Sequence, residues 1–224
     1  MFNTLDASSY INIKNIYIYD FQILLGKIVA CYKKMTDDYV ELENDENNIR
    51  DVLLLKYLKN NTIRKELLLN DYNFDREVPE DNSLGRTDIK IQTINTFYNT
   101  EAYYIIECKR LNNKNLRGNS GLNAEYVKNG MNRFVTGYYS SHYNTNGMIG
   151  FVVDDLDIDN NYENINHVLN THYPQINVTA LLEEAQFIEN FRHQYISIHL
   201  TKFNRNIILY HLMLDFSKNI GEQN

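Results

Sequence analysis

Cysteine, proline, tryptophan and glycine are all scarce in this 224-residue sequence, at two, two, none and nine copies. Cys31 and Cys108 cannot form a disulfide framework. A zinc site is not indicated either, because the two thiols lie 77 residues apart and the six histidines have no ligand spacing. Such cysteine usage fits a reducing interior, and a bacterial cytoplasm is the expected compartment. Low proline and glycine beside eighteen tyrosines and ten phenylalanines exclude a disordered or low-complexity chain. Long apolar runs are missing too. The best stretch, Ile11 to Tyr32, is interrupted by Lys14, Asp20 and Lys27, so no membrane span is expected. The opening MFNTLDASSY has neither the basic region nor the cleavage site of a signal peptide. With no internal repeat and no Gly/Ser/Pro linker, one domain over 1–224 is the reading, long enough to bury a substantial core.

What is present reads as helices, then strands, then both. Asp20 followed by FQILLGKIVACYKKM predicts a helix start, and an acidic break spans Asp37 to Asp45. Helical periodicity returns from Asp45 to Leu69, with a stop or kink at Asn60–Asn61. Three extended segments follow, YNFDREV, GRTDIKIQTI and AYYIIECKRL, which predict a β-meander. After a polar loop come a helix over Leu122 to Tyr138 and a buried strand, GMIGFVV. Asp154 to Asn161 reads as an acidic loop, Tyr162–Leu169 and Ala180–Phe191 as helices, and YISIHL with NIILYHLML as a closing hairpin. The fold class is therefore α/β, a central mixed β-sheet flanked by helices.

Chemistry is concentrated in the meander. Alternation puts Asp88 and Lys90 on one face of their strand, and Glu107 and Lys109 on one face of the next. A connection centred between Phe97 and Tyr98 places Asp88 opposite Glu107, so the two carboxylates share a face. Converging carboxylates repel unless a cation or a proton intervenes. Magnesium takes oxygen ligands and acidifies the water it keeps, and Lys109 would lie beside that water to orient or deprotonate it. Glu46 occupies the inward face of the preceding helix, with Glu41 and Glu43 competing for the same place.

Gly85-Arg86-Thr87-Asp88 followed by Ile105-Ile106-Glu107-Cys108-Lys109-Arg110 resembles the bipartite core of the PD-(D/E)XK nuclease superfamily, the restriction-endonuclease-like fold. The order of elements over roughly Asp45 to Val153 is similar as well, leaving 1–44 as an N-terminal helical extension, 45–153 as the nuclease-like core and 154–224 as C-terminal helices and hairpin. The resemblance implies metal-dependent hydrolysis of DNA phosphodiester bonds. It implies Asp88, Glu107 and the Cys108 backbone carbonyl as ligands of Mg²⁺, with Mn²⁺ as a substitute, Lys109 as the water-side catalytic residue, and Glu46 as an outer or second-metal ligand. Thr87 stands where the family has proline, and the helix after the meander lacks Gln-x-x-x-Tyr, which argues against the exonuclease branch that carries it. The resemblance also implies a restriction or antiphage-defence setting as one subunit of a larger complex, and the N-terminal helical extension gives a homodimer as a further expectation. A non-catalytic nucleic-acid or protein-binding subunit that keeps the fold is the alternative.

Charge is uneven along the chain. Residues 107–133 carry net +4, against −5 before them and −6 after them, in a chain of net −7. Arg110, Lys128, Arg133 and Asn129 are thus the candidate substrate contacts, since polyanion affinity comes from local phosphate neutralisation. Competing sites are weaker. No Gly-x-Ser-x-Gly accompanies Ser197 and His199, so a serine hydrolase is not indicated, and Tyr195, Ser197, His199 and His211 read as packing and hydrogen-bonding groups of the hairpin. The run Asp154–Asp159 lacks the glycine and glutamate of a calcium loop.

Overall fold

A computed structural model describes residues 8–79 and 85–221, with side chains from Ile13 onward. Residues 1–7 of the expected N-terminal extension lie outside the described residues. Seven strands form one mixed sheet: β1 (Asn73–Pro79), β2 (Arg86–Gln92), β3 (Tyr103–Leu111), β4 (Thr145–Val152), β5 (Val178–Glu184), β6 (Gln194–Leu200) and β7 (Asn206–Asp215). Their spatial order is β1-β2-β3-β4-β7-β6-β5. The central trio β3, β4 and β7 is parallel, and the outer pairs are antiparallel.

Both faces of the central strands are apolar, as a sheet covered by helices requires. Tyr104, Ile106 and Cys108 of β3, with Ile149 and Phe151 of β4, join one core with α1 (Ser8–Asp37) and α2 (Glu46–Val52). Tyr103, Ile105 and Leu111, with Met148 and Val152, join a second core with α7 (Ile158–His172) and the helix after β3. That helix is built from α5 (Leu122–Glu125), a π-helical turn (Tyr126–Met131) and α6 (Asn132–Val135). A second π-helical turn, Leu53–Leu58, extends α2, and α3 (Asn61–Glu66) follows it. The expected break is there because Asn60 caps α3, its side chain accepting from the amides of Thr62 and Ile63.

Four expectations about element bounds are corrected. Asp20 lies inside α1, which starts twelve residues earlier at Ser8. Helix α7 begins at Ile158 rather than near Tyr162, because Asp157 of the acidic loop caps it by accepting from the Asn160 amide. The segment Ala180–Phe191 is not helical. Its first half pairs with β6 as an edge strand, and its second half folds round Gln194, whose side chain bonds the amides of Phe187 and Ile188 and the carbonyls of Ile188 and Phe191. Sheet pairing overrides the good helix formers there. The helix after β3 ends at Val135, three residues early, and β2 and β3 are joined through the short α4 (Asn95–Tyr98).

The two ends of the described chain meet. Leu42 and Ile220 form an isolated parallel bridge, with the Leu42 amide donating to Asn219 at 2.8 Å and the Gly221 amide to Leu42 at 3.0 Å. This bridge lies four residues before Glu46. Among the described residues, no helix is long and apolar enough to cross a membrane.

Candidate functional site

The β2–β3 ladder runs from Gln92↔Tyr103 to Ile89↔Ile106, the register in which Asp88 and Glu107 would be opposite. Beyond Ile89↔Ile106 the strands part. Alternate amides of β3 still point toward β2, and carboxylates take them: Cys108 N–H donates to Asp88 Oδ2 at 2.7 Å, and Arg110 N–H to Glu46 Oε2 at 3.2 Å. The wedge between the splayed strands is where the acidic groups gather.

Glu107, fully buried, and Lys109 lie on the β3 face beneath the helix α5–α6. The Lys109 ammonium stands 2.7 Å from the Cys108 carbonyl, 2.8 Å from Glu46 Oε1, 2.9 Å from Glu107 Oε1 and 3.9 Å from Asp88 Oδ2. Gly130, in the π-helical turn, lets the helix lie close over this lysine: a Cβ there would come within 3.5 Å of the Lys109 stem and 2.6 Å of the Met148 methyl. From α6, Arg133 donates to Glu107 Oε1 at 2.6 Å and to the Tyr139 hydroxyl at 2.8 Å. That hydroxyl is 2.6 Å from Glu107 Oε2. On α2, buried Arg50 is 3.5 Å from Asp88 Oδ1 and is also paired with Glu77 and Asp51.

Glu46, Asp88, Glu107 and Lys109 are therefore brought together, with Arg133. The side chains of the other three expected substrate contacts make no bond to these carboxylates. Arg110 points to Asn44, donating to its carbonyl and side chain, and so braces the loop before Glu46. Asn129 donates to Glu125. Lys128 is exposed on the π-helical turn. Arg50 and Tyr139 belong to the cluster without having been singled out in the sequence. Arg50 was within reach of inference, since it lies four residues after Glu46 and shares its helical face. Tyr139 follows the end of α6, where no periodicity points inward.

Burial pushes the Glu107 carboxyl up to about 7; nearby Asp88 adds to this, while Lys109, Arg133 and the Tyr139 hydrogen bond oppose it. Burial alone would lower the Lys109 pKa, but Glu107, Asp88 and Glu46 outweigh it and raise the pKa, so the amine is an ammonium at neutral pH. Burial, then Glu107, raises the Tyr139 hydroxyl, which remains protonated.

No family model, curated protein or solved structure matches this chain.

Could these residues hold a dication? Among the described residues, no three His, Cys, Asp or Glu side chains are grouped so as to hold a metal ion. The cation at the meeting point is the lysine's own. Its immediate neighbours are all oxygens, two from carboxylates and one from a carbonyl, and such a hard donor set suits Mg²⁺. The ammonium itself meets the negative charge of these oxygens. The serine and histidines of the closing hairpin lie apart from this cluster. Ser197 Oγ is 2.7 Å from His199 Nε2 and 2.8 Å from His211 Nε2, and His211 Nδ1 is 2.8 Å from the Tyr126 hydroxyl, all buried. They are internal hydrogen-bonding groups of the core.

Proposed function

We propose that this protein is a metal-dependent nuclease of the PD-(D/E)XK kind, hydrolysing phosphodiester bonds of DNA at the wedge between β2 and β3. The observation that carries this reading is the capture of a buried ammonium by Glu46, Glu107 and the Cys108 carbonyl beside Asp88. Asp88, Glu107 and the Cys108 carbonyl would hold Mg²⁺, which when bound supplies Lewis-acid stabilisation of phosphoryl oxygen and a more acidic water. Lys109, kept charged by its carboxylate neighbours, orients the attacking water and offsets phosphate charge rather than removing a proton. Arg133 presents a guanidinium, about a third exposed, to a phosphate from the α6 side. Arg50 and Tyr139 position Asp88 and Glu107.

A second reading has its own observation. The carboxylates Glu46, Asp88 and Glu107 are met by the chain's own cations Lys109, Arg50 and Arg133, Arg50 being shared with Glu77 and Asp51. A binding subunit that keeps the fold without catalysis would need nothing more.

The isosteric variants Glu107→Gln and Asp88→Asn separate the two. With plasmid and single-stranded DNA in Mg²⁺, the wild type is expected to cleave, chelation to stop it, and each variant to lose at least about a hundredfold in rate, the scale of removing an electrostatic group from an active site. Both variants should keep the wild-type circular dichroism. A wild type inert toward DNA in Mg²⁺ and Mn²⁺, or variants of undiminished rate, sinks the nuclease reading.

A further inference from the structure

The β2–β3 connection carries large apolar side chains into solvent: Phe97 is 90 % exposed, Tyr98 88 % and Ile94 64 %. Beside it lies an open cavity of about 700 Å³, walled among others by Lys90, Gln92, Phe97, Tyr72 and Arg64. That volume is within the range of small-ligand sites. One residue ties the cavity to the acidic cluster. Lys90 lines the cavity and shares a strand face with Asp88, two residues and so about 7 Å away along β2. Its ammonium rests 3.7 Å from the centroid of the Tyr103 ring. Along β2, Lys90 thus stands between Asp88 of the cluster and the exposed aromatic rings of the connection, which suggests a path from one to the other.

We propose that this path receives a single strand of nucleic acid, with a phosphate beside Lys90 and bases stacked on Phe97 and Tyr98 while the strand's neighbouring phosphodiester lies at the cluster. The inference rests on the nuclease reading and names its substrate class: single-stranded or unpaired DNA. The chemistry is general. Every base has a π-face, stacking on aromatic side chains is sequence-tolerant, and in duplex DNA those faces are already occupied by neighbouring bases. Solvent-exposed rings next to a lysine thus distinguish unpaired strands from paired ones. A chain of net charge −7 has no strong nonspecific hold on a duplex, so local contacts of this kind decide what it binds.

The test uses the full chain with Phe97→Ala and Tyr98→Ala combined, both at exposed positions whose truncation leaves the core intact. Affinity is read by fluorescence anisotropy in EDTA for a labelled oligothymidylate of about 16 nucleotides, the upper end of single-strand site sizes, and for a blunt duplex of equal length. Stacking of two bases at about 1–3 kcal/mol each predicts a loss of at least about thirtyfold for the single strand, with duplex affinity unchanged within about twofold. Unchanged single-strand affinity overturns the proposal, as does an equal loss for both probes. A change of oligomeric state in size exclusion without a change in single-strand affinity also overturns it, marking the tip as a protein contact. Because binding is read without metal, a wild type that binds the single strand but cleaves nothing in Mg²⁺ counts against the nuclease reading and not against this path.

Discussion

Glu107 is an acidic side chain with no exposure, and its ionisation is bound up with folding. In the unfolded chain it titrates at the ordinary 4.5, whereas burial, then Asp88, moves it to about 7 in the fold. Between those values the folded protein holds a proton that the unfolded chain has released, so this residue makes stability fall as pH rises from about 4.5 to 7. The full difference is on the order of 3 kcal/mol. His199 and His211 act in the opposite sense. Burial lowers them to about 4 and about 3, so the unfolded chain binds their protons first and stability falls as pH drops below 6.5. Urea unfolding in EDTA isolates the carboxyl: the stability of Glu107→Gln relative to wild type should increase steadily between about pH 4.5 and 7. A pH-independent difference would place the Glu107 carboxyl at its ordinary value.

At the scale of elements, α1 is part of the core and not an appendage. Phe21, fully buried, stacks on Tyr104 of β3 at 4.6 Å and meets the Tyr210 ring of β7 edge-on at 5.7 Å. A Cβ on Gly147 of β4 would come within 3.1 Å of the Phe21 ring, so helix and sheet are in close contact there. Phe21→Ala should cost about 3–5 kcal/mol, the usual range for a large buried aromatic, measured by denaturant midpoint. A loss below about 1 kcal/mol would show α1 to be detachable. The meander was legible in the sequence because period-two alternation and one short connection fix both register and face, and the apolar run Tyr103–Cys108 requires cover on both sides. Glu46 was legible from helical phase. Helix α7 and β5 were less so: an acidic run reads as loop until one of its residues proves to be a cap, and an edge strand of leucine, glutamate and alanine has the composition of a helix. Tyr139 left no trace, since its inward direction is set by the chain turning at Gly137, whose φ is +67°.

For the molecule as a whole, topology interleaves distant parts of the chain. β4 pairs with β3 on one side and with β7 on the other, so the central parallel trio is closed only by residues 206–215. Beyond them, the Leu42–Ile220 bridge and the Arg110–Asn44 bonds hold the loop that delivers Glu46. Removing residues 218–224 leaves every strand intact. The expected outcome is a sheet of wild-type circular dichroism, loss of hydrogen-exchange protection at the Leu42 amide, and Mg²⁺-dependent cleavage weakened by at least about tenfold, because Glu46 must then be ordered at its own entropic cost. Full cleavage by the truncated chain would assign the loop to Arg110 alone.

The same bridge has a consequence for biosynthesis. A nascent chain presents Glu46 early, yet the backbone that fixes it emerges some 170 residues later, after the last strand. Until then the loop before Glu46 has only the Arg110 bonds to Glu46 and Asn44 to hold it. The order of translation thus adds the last brace on this loop only when the fold around it has closed.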